Sequence, residues 1–291
     1  MKLTRFSVLL LFSFFTAFSQ ERKLNIIVFG AHPDDCDETT GGAAILWAKM
    51  GHHVKFVSLT NGDAGHQTMG GGELAKVRMA EAQEAKKRFG IEAYDVLDHH
   101  DGELMPTLEI RLQVIREIRN WDADIVITPR PNDYHPDHRY TGVLVQDASY
   151  MVIVPNVAAD TPPLKKNPVF LYAEDHFKKP NPFSPDVAVD ISAIYDQKIY
   201  ALAAHKSQMF EWLPWTDGKL DEVPKGDKER LDWLAKDRER TITPDMRKSL
   251  IKWYGADRGN KVTEAEAFEI CEYGRQPSDD DIRQLFPMLG K

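Results

Sequence analysis

Short apolar runs alternate with longer amphipathic segments through the first two thirds of the chain. The apolar runs are rich in β-branched residues and cover residues 24–29, 54–59, 94–97 and 125–128. Hydrophobic residues at helical spacing occupy the intervening segments 73–89 and 107–121. Nearly continuous apolar strands are buried on both faces, and their alternation with helices is typical of βαβ units. The pattern predicts an α/β fold with three layers and a mainly parallel, doubly wound (Rossmann-like) sheet.

The pattern changes near residue 210. Two more strand-like runs, at 169–173 and 187–191, and a helical segment at 194–205 continue the alternation. Beyond them, tryptophans lie among alternating charges, and no run has the character of a strand. We therefore expect one α/β domain over residues 21–209 and a helical C-terminal appendage over residues 210–291.

Residues 1–20 have a different composition. Lys2 and Arg5 precede an apolar run from Val8 to Phe18, and small and polar residues follow. This is the layout of a secretory signal peptide. The apolar run is shorter than the roughly 20 residues that a helix needs to cross a bilayer. We expect export to the periplasm or the medium, cleavage near residue 20, and no membrane span in the mature chain.

The formal net charge is −8, and loss of the signal peptide would make it more negative. An acidic chain without a basic tract is a poor match for nucleic acid, and it favours uncharged or cationic small molecules or glycans. The two cysteines, Cys36 and Cys271, are too few for a disulfide framework. Composition leaves the oligomeric state open, including a homo-oligomer.

Polar residues follow the first and the fourth predicted strands. The first strand runs into Gly-Ala-His-Pro-Asp-Asp at 30–35, and the fourth runs into residues 129–138, which end in His-Pro-Asp-His. Ligands of open α/β sheets bind just beyond the carboxyl ends of the strands. The two clusters are therefore expected at the same edge of the sheet.

Three of these side chains suit a catalytic metal ion. His32 and Asp35 are three residues apart on a turn, and His138 would complete a His, Asp, His set with an open position for water, as in catalytic zinc sites. The same set suits Fe(II). In the alternative interpretation, Asp34 and Asp35 only cap the following helix, and His135 and His138 are exposed loop residues.

Together, the motifs resemble those of the PIG-L/LmbE-type zinc-dependent N-acetylglucosaminyl deacetylases. Besides the two histidine motifs, the resemblance includes Thr-Asn-Gly-Asp-Ala-Gly at 60–65, Arg-Met-Ala-Glu at 78–81 and His-Lys-Ser-Gln at 205–208. In this order they cover roughly residues 24 to 210. The resemblance implies a hydrolase that removes the N-acetyl group from an N-acetylglucosamine-type sugar or conjugate by metal-activated water, with one zinc ion per chain.

By position in the motifs, the resemblance implies that His32, Asp35 and His138 bind zinc. It also implies that Asp34 is the general base and that His135 polarises the developing oxyanion. A protonated imidazole would stabilise that anion, and the carboxylate of Asp137 could keep His135 protonated. Either Asp34 or His135 could return a proton to the departing amine.

Three further residues are candidates for substrate binding. By resemblance, Arg78 would contact sugar hydroxyls or a phosphate, whereas the alternative is a surface arginine paired with a nearby glutamate. Asp101 would contact the sugar or simply stabilise a turn. His205 would belong to the site or would be a core histidine.

Other functions remain open at this level. The same chemistry could act on a non-sugar amide or a thiol conjugate, or the protein could be a catalytically silent, zinc-containing carbohydrate-binding protein. Asp34 argues against the silent protein, because a zinc site does not require this additional carboxylate. The turn after the first strand lacks the glycine-rich fingerprint of dinucleotide-binding domains.

Overall fold

Seven strands form one mixed sheet in the centre of the molecule. In a computed structural model that describes residues 22–290, the strand order is β3-β2-β1-β4-β5-β7-β6. Strands β1 to β5 are parallel to one another, and β7 is antiparallel to both β5 and β6. The strands are β1 (Asn25–Gly30), β2 (His53–Thr60), β3 (Ala93–His99), β4 (Ile125–Thr128), β5 (Val169–Ala173), β6 (Val187–Asp190) and β7 (Ala265–Gly274).

Helices cover both faces of the sheet. They are α1 (Asp35–Lys49), α2 (Gly71–Phe89), α3 (Leu108–Asn120), α4 (Pro136–Met151), α5 (Tyr195–Leu202), α6 (Leu213–Thr216), α7 (Asp227–Asp237), α8 (Pro244–Tyr254), α9 (Ala256–Gly259) and α10 (Asp279–Leu285). A π-helical turn, Gln208–Trp212, precedes α6, and short 3₁₀ turns cover Ser192–Ile194 and Leu220–Glu222. The predicted α/β fold with helices on both faces is confirmed.

The two faces of β1 contribute to separate hydrophobic cores. Ile26 and Val28 pack in the core that includes residues of α1, α2 and α5. Ile27 and Phe29 pack in the core that includes residues of α3 and α4. Because successive strand side chains point to opposite faces, this apolar run has to be covered from both sides. The central strands are therefore a rigid base for the loops at their carboxyl ends.

The expectation of a purely helical C-terminal appendage is wrong. Within residues 210–291, β7 lies between β5 and β6, and its Phe268 is fully buried. The strand is hard to identify because glutamates interrupt it. One of them, Glu266, is buried beside Lys198 at 2.7 Å and accepts hydrogen bonds from two backbone N–H groups of α1. In the sequence, a glutamate that is paired in the core therefore looks the same as a glutamate on the surface.

The predicted signal peptide, residues 1–20, lies outside the described residues. Within the described part of the chain, none of the helices combines the length and the hydrophobicity that crossing a bilayer requires.

Candidate active site

A cavity of about 640 Å³ opens at the carboxyl ends of the parallel strands. Its walls include the loops that follow β1, β4 and β5, together with the segment from Gln208 to Thr216. This is the edge of the sheet at which the two histidine motifs were expected, and both motifs contribute side chains to the cavity. The volume is typical of sites for small molecules, which span roughly 300–1,000 Å³.

Three predicted metal ligands converge at the inner end of this cavity. His32 Nδ1 lies 3.2 Å from His138 Nε2 and 3.5 Å from Asp35 Oδ2. His138 Nε2 lies 3.4 Å from Asp35 Oδ1. Asp35 begins α1, and its Oδ2 accepts hydrogen bonds from the backbone N–H groups of Ala31 and His32, which fix the carboxylate on the turn. The structure brings together the imidazole, carboxylate and imidazole that the sequence singled out.

Carboxylates also lie behind the two imidazoles. His138 Nδ1 is 3.0 Å from Asp133 Oδ1, and His32 Nε2 is 3.0 Å from Asp101 Oδ1 and 3.4 Å from Asp137 Oδ2. A carboxylate on the far nitrogen of a histidine orients the ring and makes the near nitrogen a better ligand. Sequence reasoning missed Asp133, although it lies in the same loop as the His-Pro-Asp-His motif.

The electrostatics of this cluster favour a cation. Burial lowers the pKa of His138, but the charge of Asp35 and hydrogen bonds with Asp133 and Asp35 outweigh burial and raise it to about 10. Burial raises the pKa of Asp35, but the charge of His138 and hydrogen bonds with both histidines hold it well below its usual range. Positive charge is therefore stabilised at the point where the three side chains meet.

The donor set of His32, Asp35 and His138 suits a divalent metal ion. Two further groups of potential ligands share His32, one with His135 and His138 and the other with Asp101 and Asp137. The carboxylate pair uses Nε2 of His32, whereas Nδ1 points towards the predicted set. Asp35 lies within 3.5 Å of both imidazoles and brings the negative charge that a divalent cation needs. We therefore favour His32, Asp35 and His138 as the ligands.

Asp34 is held beside the cluster by Arg78. The Arg78 side chain is buried, and its Nη2 donates hydrogen bonds to Asp34 Oδ1 at 2.9 Å and to the carbonyl oxygen of Pro33 at 3.0 Å. Burial raises the pKa of Asp34 to about 6, although the charge of Arg78 opposes the change. A carboxyl with a pKa near neutrality is suited to accept and return a proton.

Arg78 is buried and lines the cavity, so it is not the surface arginine of the alternative interpretation. The guanidinium pairs with Asp34 inside the protein, whereas the nearby Glu81 and Glu84 accept hydrogen bonds from Ser207 and Arg88. A methyl group at Gly62 would lie 2.7 Å from Arg78 Nη1, so the backbone of the loop after β2 packs directly against the guanidinium. The Arg78 guanidinium is therefore held against Asp34.

His135 lies at the N-terminus of α4 and lines the cavity. Its Nδ1 accepts a hydrogen bond from the backbone N–H of Asp137 at 3.2 Å, so the neutral ring carries its proton on Nε2. Burial, together with the charges of His32 and His138, lowers the pKa of His135. The lowered pKa favours a neutral ring, whereas the sequence suggested a protonated one.

The charge of Asp137 raises the pKa of His135, as expected, but the other influences on the ring outweigh it. The Asp137 carboxylate accepts hydrogen bonds from the backbone N–H groups of Gly102 and Leu104, at 2.7 and 3.2 Å, and lies near His32. These hydrogen bonds join the loop after β3 to the start of α4. Asp101 lines the cavity, and its Oδ1 contacts His32 Nε2.

The structure places His205 in the core. The ring is fully buried, and its Nε2 lies 3.0 Å from Asp37 Oδ1, whose second oxygen accepts a hydrogen bond from the Tyr94 hydroxyl. His205 is not among the residues that line the cavity. The position of His205 agrees with the alternative of a core histidine.

Comparisons with known proteins agree with the motifs. The sequence model of the PIG-L family, described as GlcNAc-PI de-N-acetylase, matches residues 27–149. The diacetylchitobiose deacetylase of Thermococcus kodakarensis is 32% identical over 202 residues, which cover 65% of this chain and 73% of the relative. The probable N-acetyl-α-D-glucosaminyl L-malate deacetylase 2 of Bacillus cereus is 27% identical over 221 residues, which cover 72% and 94%.

The fold is shared with solved structures. The N,N'-diacetylchitobiose deacetylase of Pyrococcus horikoshii superposes with a TM-score of 0.63 at 24% identity, and the match covers 84% of this chain and 83% of that one. A 4-oxalmesaconate hydratase of Pseudomonas putida is also related, at 24% identity over 200 residues that cover 65% of this chain and 76% of the hydratase. The chain belongs to the PIG-L family of deacetylases, and the family and enzyme class inferred from the motifs are confirmed.

Proposed function

We propose that the protein is a zinc-dependent hydrolase that removes the N-acetyl group from an N-acetylglucosamine-type sugar or conjugate. The observation that carries this proposal is the position of Asp34. This carboxylate is fixed by a buried arginine beside the cluster of His32, Asp35 and His138, on the wall of a cavity large enough for a sugar. The deacetylases among the relatives support the same reaction.

The residues of the chain divide the chemistry between them. His32, Asp35 and His138 would hold the cation, which supplies Lewis acidity and makes water more acidic near neutral pH. Asp34 accepts a proton from the attacking water as the new C–O bond forms at the amide carbonyl carbon. The Nε2–H of neutral His135 donates a hydrogen bond to the oxyanion that develops.

Collapse of the tetrahedral adduct completes the reaction. The C–N bond breaks, and Asp34 returns the proton that it accepted to the departing amine. The products are acetate and a free amino sugar. Asp34 is favoured over His135 as the acid, because neutral His135 has a single ring proton, which is engaged with the oxyanion at this stage.

The place of action is part of the proposal. The signal-peptide pattern of residues 1–20 supports export, so the enzyme would work in the periplasm or the medium. Fractionation followed by N-terminal sequencing of the exported protein tests this point, with a new N-terminus near residue 20 as the expected result. Full-length protein in the cytoplasm would contradict it.

Acetate release tests the proposed reaction. The zinc-supplemented protein would be assayed with N,N'-diacetylchitobiose, N-acetylglucosamine and a sugar-free N-acetylamine, and an unsaturated dicarboxylic acid would serve as a hydratase substrate. We expect acetate from the sugars and its loss in Asp34→Asn. Asp160→Asn is the matched control, since this exposed aspartate pairs with Arg116 away from the cavity.

Each other outcome identifies a different function. Acetate from the sugar-free amide alone would establish the same chemistry on a non-sugar substrate. Hydration of the unsaturated acid without acetate release would assign the protein to the hydratase branch of its relatives. Zinc and sugar binding without either reaction would identify a silent binding protein.

A further inference from the structure

The loop between β5 and β6 forms one wall of the cavity. It covers residues 174–186, and its first part, from Glu174 to Phe177, lines the cavity together with Tyr134 from the loop after β4. No helix or strand covers residues 174–186. The wall therefore has no hydrogen bonds of regular secondary structure to hold its shape, and it depends on contacts with other segments.

Arg130 supplies these contacts. Its Nε and Nη2 donate hydrogen bonds to the two carboxylate oxygens of Asp175, at 2.6 and 2.5 Å. Its Nη2 also donates to the carbonyl oxygen of Phe177 at 2.9 Å, and its Nη1 donates to that of Asn181 at 3.0 Å. In the described part of the chain, no other hydrogen bond joins residues 175–181 to another segment. One guanidinium therefore holds this part of the loop.

Arg130 is itself held firmly. Only 6% of the residue is exposed, and it lies between Pro129 and Pro131, directly after β4. Helix α4 packs closely against this segment, since a methyl group at Gly142 would lie 2.7 Å from the carbonyl oxygen of Pro129 and 2.8 Å from the nitrogen of Pro131. The planar guanidinium binds a carboxylate through two parallel hydrogen bonds, which fix its direction. The loop is thus anchored to a rigid part of the site.

The anchored loop places an aromatic ring beside the metal cluster. The ring of Phe177 contacts that of Tyr134, with centroids 6.3 Å apart. Tyr134 in turn contacts the rings of His138 and His135, at 5.5 and 5.8 Å between centroids. Tyr134 is 70% exposed, so its ring is open to a ligand. The cavity therefore has an aromatic wall that begins at the metal cluster.

A sugar ring fits the position of this wall. In an N-acetylated amino sugar, the amide nitrogen is bonded directly to a ring carbon. When the amide carbonyl lies at the metal cluster, the pyranose ring lies next to the cluster, where Tyr134 and Phe177 contribute their rings. A pyranose presents a face of C–H groups, and apolar contact of this kind is what an aromatic side chain offers.

We propose that Arg130 is a positioning residue for substrate binding, which holds Phe177 beside Tyr134 as an aromatic wall for the sugar ring that carries the acetamide. The wall selects a closed pyranose over an open-chain amide with the same functional groups. This inference rests on the proposed function, since it places the acetamide at the metal cluster.

Calorimetric binding measurements test the wall without turnover. Zinc-supplemented Asp34→Asn protein would be titrated with N-acetylglucosamine and with N-acetylglucosaminitol, which keeps the acetamide and hydroxyl groups on an open chain. We expect the closed sugar to bind about tenfold more tightly. Adding Arg130→Met or Phe177→Ala should each remove most of this preference. The two together should remove no more than either alone, because Arg130 acts through Phe177.

Two further readouts separate the anchor from a general effect on folding. Tryptic cleavage after Lys178, an exposed residue of the loop, should increase in Arg130→Met, while zinc affinity should not change. Arg116→Met is the matched control, since it removes a guanidinium that bonds both oxygens of Asp160 outside the cavity. It should change neither the cleavage nor the preference for the closed sugar.

Several results would overturn the inference. Equal affinity for the two compounds, or an unchanged preference in Phe177→Ala, would exclude the aromatic wall. An unchanged preference in Arg130→Met, or additive losses in the double variant, would exclude the positioning role of Arg130. If Arg130→Met does not fold, Asp175→Asn removes the charge of its partner at constant shape and carries the same expectations. Failure of the proposed function is visible separately, as a wild-type protein that prefers the closed sugar and releases no acetate from it.

Discussion

Removal of the Arg78 guanidinium tests how the chain positions its base. Arg78→Met keeps an unbranched side chain in the buried space and leaves Asp34 without its partner at 2.9 Å. Breaking a buried ion pair on one side costs about 3–5 kcal/mol of folding free energy. In a domain of this size, such a loss lowers the melting temperature by about 10 °C. Arg116→Met, which removes an exposed partner of Asp160, should cost at most about 1 kcal/mol.

The same variant should change the pH profile of acetate release. Burial raises the pKa of Asp34 to about 6, and the charge of Arg78 opposes this change. The variant keeps the burial and loses the opposing charge. The pKa of Asp34 should therefore rise further. A protonated Asp34 cannot accept a proton from water. Activity is therefore lost at a higher pH as the solution is acidified, and the acidic limb of log kcat/KM moves to higher pH.

The assay is kcat/KM for N,N'-diacetylchitobiose between pH 5 and 9 at saturating zinc, on protein whose folding is checked by thermal unfolding. Arg78→Lys restores the charge but not both hydrogen bonds, to Asp34 and to the carbonyl oxygen of Pro33. Its acidic limb should lie between those of the wild type and Arg78→Met. An acidic limb at the wild-type pH in Arg78→Met, with activity retained, would refute the role of Arg78 as the positioning residue of Asp34.

Three other substitutions have defined outcomes. Asp133→Ala removes the carboxylate behind His138 and should weaken zinc binding by about 10- to 100-fold in a chelator competition, with unchanged affinity contradicting its supporting role. Glu266→Gln leaves the buried Lys198 without its anion and should cost about 3–5 kcal/mol in a denaturant titration, whereas a surface role predicts no loss. Arg119→Met removes six hydrogen bonds to carbonyl oxygens of residues 151–161 and should increase proteolytic cleavage in that segment; equal cleavage would show that the segment is held by other contacts.

Much of the fold could be predicted because the buried parallel strands consist of consecutive apolar residues. The run at 125–128 coincides with β4, and the helix predicted to end at Phe89 stops at Gly90, which has a positive φ of 73°. β7 could not be recognised in the same way. Glu266 is neutralised by Lys198, which is 68 positions away in the chain, so local composition does not report its burial.

The part of the site that could be predicted consists of residues that are close together in the sequence or that follow strand ends. His32 and Asp35 occupy one turn, and the rule that places ligands at strand ends brought His138 to the same edge of the sheet. Roles that depend on contacts between distant segments were not accessible. The pairing of Arg78 with Asp34 and that of His205 with Asp37 join residues 44 and 168 positions apart.

The most direct test of the central claim is a zinc titration of metal-stripped protein, followed by acetate release from N,N'-diacetylchitobiose. The account predicts that activity returns in proportion to bound zinc and saturates at one equivalent per chain. Asp34→Asn should bind the same equivalent and release no acetate. Acetate release by the metal-stripped protein, or full activity in zinc-loaded Asp34→Asn, would contradict the account.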